Sequence, residues 1–145
     1  MSSLFKIFDT AGTGMAAQST RLNTVASNLA NADTVSSTPE AAYRAKEPLF
    51  ATLHSKALQS AGATSQSDGT DGVQTIGVSE SQADISSRYE PGNPMADANG
   101  YVYGSNVNPI DELVNMISAS RSYQNNVEVM NTAKQLMLKT LDIGK

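Results

Sequence analysis

Each end of this chain carries a stripe of mostly apolar residues spaced alternately four and three apart, and few folds accommodate two such stripes. The front stripe runs Leu4, Phe8, Ala11, Met15, Gln18, Leu22, Val25, Leu29 and Ala32, with Gln18 its polar member. The back stripe runs Leu113, Met116, Ser120, Tyr123, Val127, Met130, Lys134, Met137 and Leu141, with Ser120 and Lys134 as polar exceptions. A mean repeat of about 3.5 residues places each set on one side of a helix and favours coiled-coil packing. The front helix would cover most of residues 4–31 and be roughly 40 Å long, the back helix about 50 Å. Gly12 and Gly14 weaken the front one, since a helical Gly costs about 0.8–1 kcal/mol relative to Ala. The back helix has a clear start, with Asn108 able to cap free amides, Pro109 suited to the first turn, and Asp111 and Glu112 facing the positive end of the helix dipole. Lys139 and Gly144 mark its end.

Between the helices the pattern changes to period two. Strand-like stretches run from Tyr43 to Leu53, Val73 to Val78, Ile85 to Tyr89 and Tyr101 to Tyr103, and Pro48 makes the first an edge or broken strand. Glu90-Pro91-Gly92-Asn93-Pro94 and Asn99-Gly100 carry turn chemistry, and residues 60–72, SAGATSQSDGTDG, read as a flexible loop. The expected fold is therefore mainly α: two long terminal helices in an antiparallel coiled-coil-like pair, with a small β-rich, partly flexible central insert. The natural divisions are residues 1–32, 33–107 and 108–145.

Composition limits what such a chain does. Aromatic residues are 6% of 145 and Trp is absent, so large anchors for a private core are scarce and partners are expected to complete the burial. Ile110, Val114, Ile117 and Val129 lie beside the back stripe and widen its apolar face beyond what one neighbour covers. The net charge is -4, and the excess acid lies in the middle: Lys6 and Arg21 outnumber Asp9 at the front, while residues 108–145 balance. An acidic chain without a basic stripe is a poor nucleic-acid binder. No run approaches a membrane span, and residues 1–17 lack the apolar core of a secretory signal.

Reactive groups are few. Cys is absent and His54 is the single histidine, with no local motif to position it as a general base. Asp68-Gly69-Thr70-Asp71-Gly72 and Asp97-Ala98-Asn99-Gly100 resemble pieces of calcium loops, but neither continues to a closing Glu, and Asx-turns explain both. No catalytic, cofactor-binding or metal-binding residue is expected, and no small-molecule substrate. Asn23, Asn28 and Asn31 on one helix, and Asn115, Asn125, Asn126 and Asn131 on the other, offer amide donors and acceptors expected to fix register between subunits.

Residues 19–34, STRLNTVASNLANADT, with Ser27-Asn28-Leu29-Ala30-Asn31-Ala32 at their centre, resemble the N-terminal signature of bacterial flagellar rod and hook proteins. Asn106 to Ile117, the run Glu128 to Lys134, and the turn region from Tyr89 to Tyr103 are similar to proximal-rod subunits, whose short length this chain shares. The resemblance implies a structural subunit of the basal-body rod on the periplasmic side, exported by the flagellar type III apparatus without signal cleavage. It implies partners as well: copies of itself, other rod proteins, the export apparatus and the membrane-ring base. Val35 to Ala42 and Gly104-Ser105 depart from the family pattern. The assembly seam is expected on Leu22, Val25, Asn28, Leu29 and Asn31 of the first helix, and on Leu113, Met116, Ile117, Tyr123, Val127, Met130, Met137 and Leu141 of the second. The rival readings are a free-standing coiled-coil adaptor and a small enzyme using Asp68, Asp71 or Asp97.

Overall fold

The computed structural model describes residues 2–54 and 70–143. Helix α1 spans Ser2–Ala30 and helix α2 spans Pro109–Ile143. At about 1.5 Å per residue they are roughly 44 and 52 Å long. Between them lie β1 (Val35–Ser36), β2 (Lys46–His54), β3 (Thr70–Glu80), β4 (Ser87–Tyr89) and β5 (Tyr101–Gly104).

The start of α2 follows its sequence signals. Asn108 Oδ1 accepts from the Ile110 N–H at 3.1 Å, and Asn108 Nδ2 donates to Asp111 at 2.7 Å. At the end of α1 the Ser27 carbonyl accepts from both the Asn31 backbone N–H at 3.2 Å and the Asn31 side chain at 2.8 Å.

The helices are antiparallel neighbours. Arg21 donates to Asn115 at 3.1 Å, Gly14 lies beside Asn126, and Ile7 shares a groove with Ala133 and Leu136, so positions descend on α1 as they rise on α2. The buried line of α2 includes Ala119 and Ala133, flanked by half-buried Met116, Asn126, Met130 and Met137. This line keeps the seven-residue repeat of Met116, Met130 and Met137 but takes Ala119, Asn126 and Ala133 between them, one residue before Ser120, Val127 and Lys134. The stripe read from the sequence is thus rotated by one position: large residues catch the eye, but small ones let two backbones approach. Gly14 shows the same requirement on α1, because a Cβ there would sit 2.9 Å from Asn126 Nδ2. A residue that weakens an isolated helix serves the pair.

The insert forms two antiparallel sheets, ordered β1-β5-β4 and β2-β3. Strand β2 runs through Pro48 without a break, opposite Val78, because a two-stranded ribbon consists of edges and an edge tolerates the missing amide. The short β1 pairs with β5 through Val35 and Ser36, two residues that carry no periodic signal. The β2-β3 ribbon lies along α1, where the Thr13 hydroxyl accepts from the Val73 N–H at 3.2 Å. Gly72 has φ +153°, and any Cβ there would collide with Thr13. Residues 60–69 of the Gly/Ser/Asp-rich loop lie outside the described set.

The core is made of small residues: Ala11, Ala17, Val25, Ala42, Val102, Val107, Ala119 and Ala133 are its buried apolar members. Among the described residues no Leu, Ile, Phe or Met is buried. Replacing Ala119, which is fully buried, by Leu forces the helices apart and should cost about 1–3 kcal/mol of stability. Urea unfolding of Ala119→Leu beside the parent chain measures it, and an unchanged midpoint would exclude close packing at that position.

Candidate functional site

In this chain the functional candidates are surfaces and the joints that hold them in place. The main joint is Asn28, 1% exposed near the C-terminal end of α1. Its Nδ2 donates to the Lys46 carbonyl at 2.9 Å, and its Oδ1 accepts from the Lys46 N–H at 2.9 Å. For that residue the carboxamide replaces a neighbouring strand, a task Asn performs because it carries a donor and an acceptor side by side. Oδ1 also accepts from the Tyr43 hydroxyl at 3.1 Å. That hydroxyl has one proton, so at its 3.1 Å contact with Ser27 the serine donates.

A second joint, Asn106, anchors the base of the ribbon to the approach to α2. Its Oδ1 accepts from the Ala45 N–H at 2.7 Å, and its Nδ2 donates to the Ala83 carbonyl at 3.1 Å. Arg44 donates to the Ser81 carbonyl at 3.1 Å beside it. Neither Asn106 nor Tyr43 stands out in the sequence, since each acts on groups distant in the chain, Asn106 on the backbone of Ala45 and Ala83 and Tyr43 on the side chains of Ser27 and Asn28.

The turn between β4 and β5 is organised by Asp97, whose Oδ1 accepts from the Asn99 and Tyr101 N–H groups at 2.8 and 2.9 Å. Its Oδ2 accepts from the Tyr103 hydroxyl at 3.2 Å. Both carboxylate oxygens are thus engaged inside the turn, which is the Asx-turn expected for this segment. Gly100 adopts φ +84° to close it, beneath Tyr89 and Tyr101, whose rings meet edge to face with centroids 5.3 Å apart. The Tyr101 N–H is the main cause holding the Asp97 carboxyl below its ordinary 3.8; partial burial opposes it, and Asn99 and Tyr103 reinforce it. Tyr103 is pushed up, first by loss of hydration and then by the adjacent Asp97 carboxylate.

The expected seam residues divide into two groups. Val25 and Asn28 are buried within the chain, and Leu22, Leu29, Asn31, Met116, Val127, Met130 and Met137 are half-buried along the helices. Leu113, Ile117, Tyr123 and Leu141 point outward and are exposed. So are Ile110, Val114, Leu136 and Leu138, which gives α2 an apolar outer surface along most of its length. The ribbon adds Leu49, Phe50, Ile76 and Val78. The small residues Gly14, Ala119 and Ala133 were missed by the sequence reading, although Ala119, Asn126 and Ala133 do recur at intervals of seven. The side chains of His54 and Asp71, and all of Asp68, lie outside the described residues. Among the described residues no helix is long and apolar enough to cross a membrane.

Two family models fall on the helical ends: one described as flagella basal body rod protein matches residues 8–35, and one described as flagellar basal body rod FlgEFG protein C-terminal matches residues 98–143. Together they define the class as flagellar rod proteins, with the β2-β3 ribbon outside both matches. The chain is 53% identical to flagellar basal-body rod protein FlgC of Salmonella typhimurium, over 98% of each chain. It is 51% identical to that of Escherichia coli O157:H7 over 98% of each, and 36% identical to that of Buchnera aphidicola from Baizongia pistaciae over 99% of each. The chain belongs to the FlgC family of flagellar basal-body rod proteins.

Two outcomes test these joints. Asn28→Ala leaves both backbone groups of Lys46 without partners and should cost about 1–3 kcal/mol, seen in urea unfolding together with faster exchange of the Lys46 amide. A protected Lys46 amide would show that the ribbon docks without this bond. For Asp97 the folded value is depressed, so its contribution is present above 3.8 and is lost as pH falls below that value. Acid titration followed through the Tyr89 and Tyr101 signals should therefore show the turn opening below this range, and the transition should disappear in Asp97→Asn.

Proposed function

We propose that this chain is a structural subunit of the proximal rod, on the periplasmic side of the basal body, and that it acts by helix packing and not by catalysis. The observation that carries this reading is the inverted distribution of apolar side chains: Ala and Val fill the core, while Leu113, Ile117, Leu136, Leu138 and Leu141 remain exposed on α2. An exposed apolar surface of this kind is what a protein–protein contact uses. Burying it beside neighbours would contribute about 25 cal/mol per Å² of apolar area, so the helical ends gain much of their order during assembly.

Family membership supports assembly with other rod proteins; on this reading the partners also include copies of the same chain, with the type III export apparatus and the membrane-ring base at the proximal end. Two helices of about 44 and 52 Å offer long contacts that share a torsional load along an axis, and a ring of them leaves an axial channel. Val25 and Asn28, with Met116, Met130 and Met137 on the inward line of α2, hold the subunit together, and the exposed Leu113, Ile117, Tyr123 and Leu141 meet neighbours. A free-standing adaptor would not need the two rod signatures at its ends, and an acidic-site enzyme would need free carboxylates where Asp97 is already engaged.

The test uses positions that face away from the chain's own core. Leu113→Asp and Leu141→Asp should each change the stability of the purified subunit by no more than about 0.5 kcal/mol, because both side chains are exposed. In cells each should abolish incorporation into basal bodies, and with it motility, by placing an unpaired charge in a packed contact. Normal swimming by either variant would remove that residue from the seam, and swimming by both would overturn the proposed packing.

A further inference from the structure

The turn between β4 and β5 requires glycine at position 100. Its φ of +84° is left-handed, and a Cβ there would lie 2.8 Å from the Tyr89 ring and 3.2 Å from Pro91. The residue before it is Asn99, and this is the one Asn-Gly step in the sequence. Such a step is where a chain most readily attacks itself, because glycine has no side chain to shield its amide nitrogen. The Gly100 nitrogen adds to the carboxamide carbon of Asn99, its proton goes to base and ammonia leaves, closing a succinimide ring. Water then opens the ring at either carbonyl. One opening gives an ordinary aspartyl residue, and the other gives an isoaspartyl link with an extra methylene in the main chain.

Asn99 is exposed, so water and base reach it. The closed turn nevertheless opposes ring closure in three ways. The Gly100 N–H donates to the Asp97 carbonyl at 3.0 Å, which engages the attacking nitrogen. The Asn99 N–H donates to Asp97 Oδ1 at 2.8 Å and the Gly100 carbonyl accepts from the Glu90 N–H at 2.8 Å, so the peptide that would have to rotate is held on both sides. The Asn99 side chain is also among the groups that hold the Asp97 carboxyl low, which places its carboxamide beside that carboxylate. Ring closure builds negative charge on the carboxamide oxygen, and a like charge at close range resists it.

We infer that Asn99 is a deamidation site which the closed Asp97 turn holds inert and which becomes reactive whenever the turn opens. Conversion is then one-way. An aspartyl product sets a second carboxylate against Asp97, and an isoaspartyl product lengthens the backbone between Asp97 and the Tyr101 N–H that it binds. A chain kept unfolded ages at this step, and a chain with its turn closed does not.

Peptide mapping by mass spectrometry, on the purified full chain incubated in mildly alkaline buffer, measures the converted fraction at residue 99. In urea the conversion should run about tenfold or more faster than in the folded chain, since an engaged donor and a fixed backbone are both released. Asp97→Ala removes the side-chain acceptor that organises the turn, and without urea it should convert at a rate within about threefold of the parent's rate in urea. Asp97→Asn keeps an acceptor and loses the charge, and its rate should fall between the two. Asn99→Gln should stay unconverted in urea, because the extra methylene misplaces its carboxamide carbon. Exchange of the Ala45 amide, which Asn106 holds away from the turn, reports whether the rest of the insert stays folded in Asp97→Ala. Where it does not, the rate of Asp97→Asn decides. Equal rates with and without urea, variants at Asp97 that convert no faster than the parent, or a product without isoaspartyl links would each overturn the inference.

Discussion

Everything in this structure depends on how closely the two terminal helices approach. Where Ala119 and Ala133 face α1, and where Gly14 faces Asn126, no side chain holds the backbones apart. Close approach has two consequences. It exhausts the inner surface on small residues, which contribute little apolar burial each, and it turns the large residues outward. A chain that placed Leu on the inner line would gain a better private core and lose the apolar exterior proposed to meet other subunits. The weak core and the apolar surface have one physical origin.

The central insert is held to the helices by a different chemistry. Ribbon β2-β3 has no thick apolar layer beneath it, and it is fixed by single polar bridges: Asn28 to Lys46, Thr13 to Val73, and Asn106 to Ala45 and Ala83. Each bridge joins a side chain to backbone groups that would otherwise lack partners, so geometry is specified where burial is small. The result is a helical pair, carrying the two rod signatures, with a ribbon outside those signatures latched to its flank. The ribbon's exposed Leu49, Ile76 and Val78 extend the apolar exterior to a second face.

How far the sequence could be read varies by element. Both helices and the four longer strands were visible, because capping at Asn108-Pro109 and period-two runs such as Val73 to Val78 are local signals. Strand β1 was not, since Val35 and Ser36 become a strand only by pairing with Tyr103 and Gly104. The Asp97 turn was legible as an Asx-turn, because its donors lie two and four residues away. Asn28 was expected to set register between subunits, whereas within the chain its carboxamide bonds the backbone of Lys46.

The sequence by itself determined two long helices, a β-rich middle and membership of a rod family, since all three are written in local spacing and short motifs. Only the tertiary structure decided which face of α2 turns inward. Periodicity fixes a stripe's repeat but not its phase: a row of large residues and a row of small residues one position away share the same spacing of three and four. The inward row is chosen by how near the partner helix can come, and that distance exists only once both helices are in place.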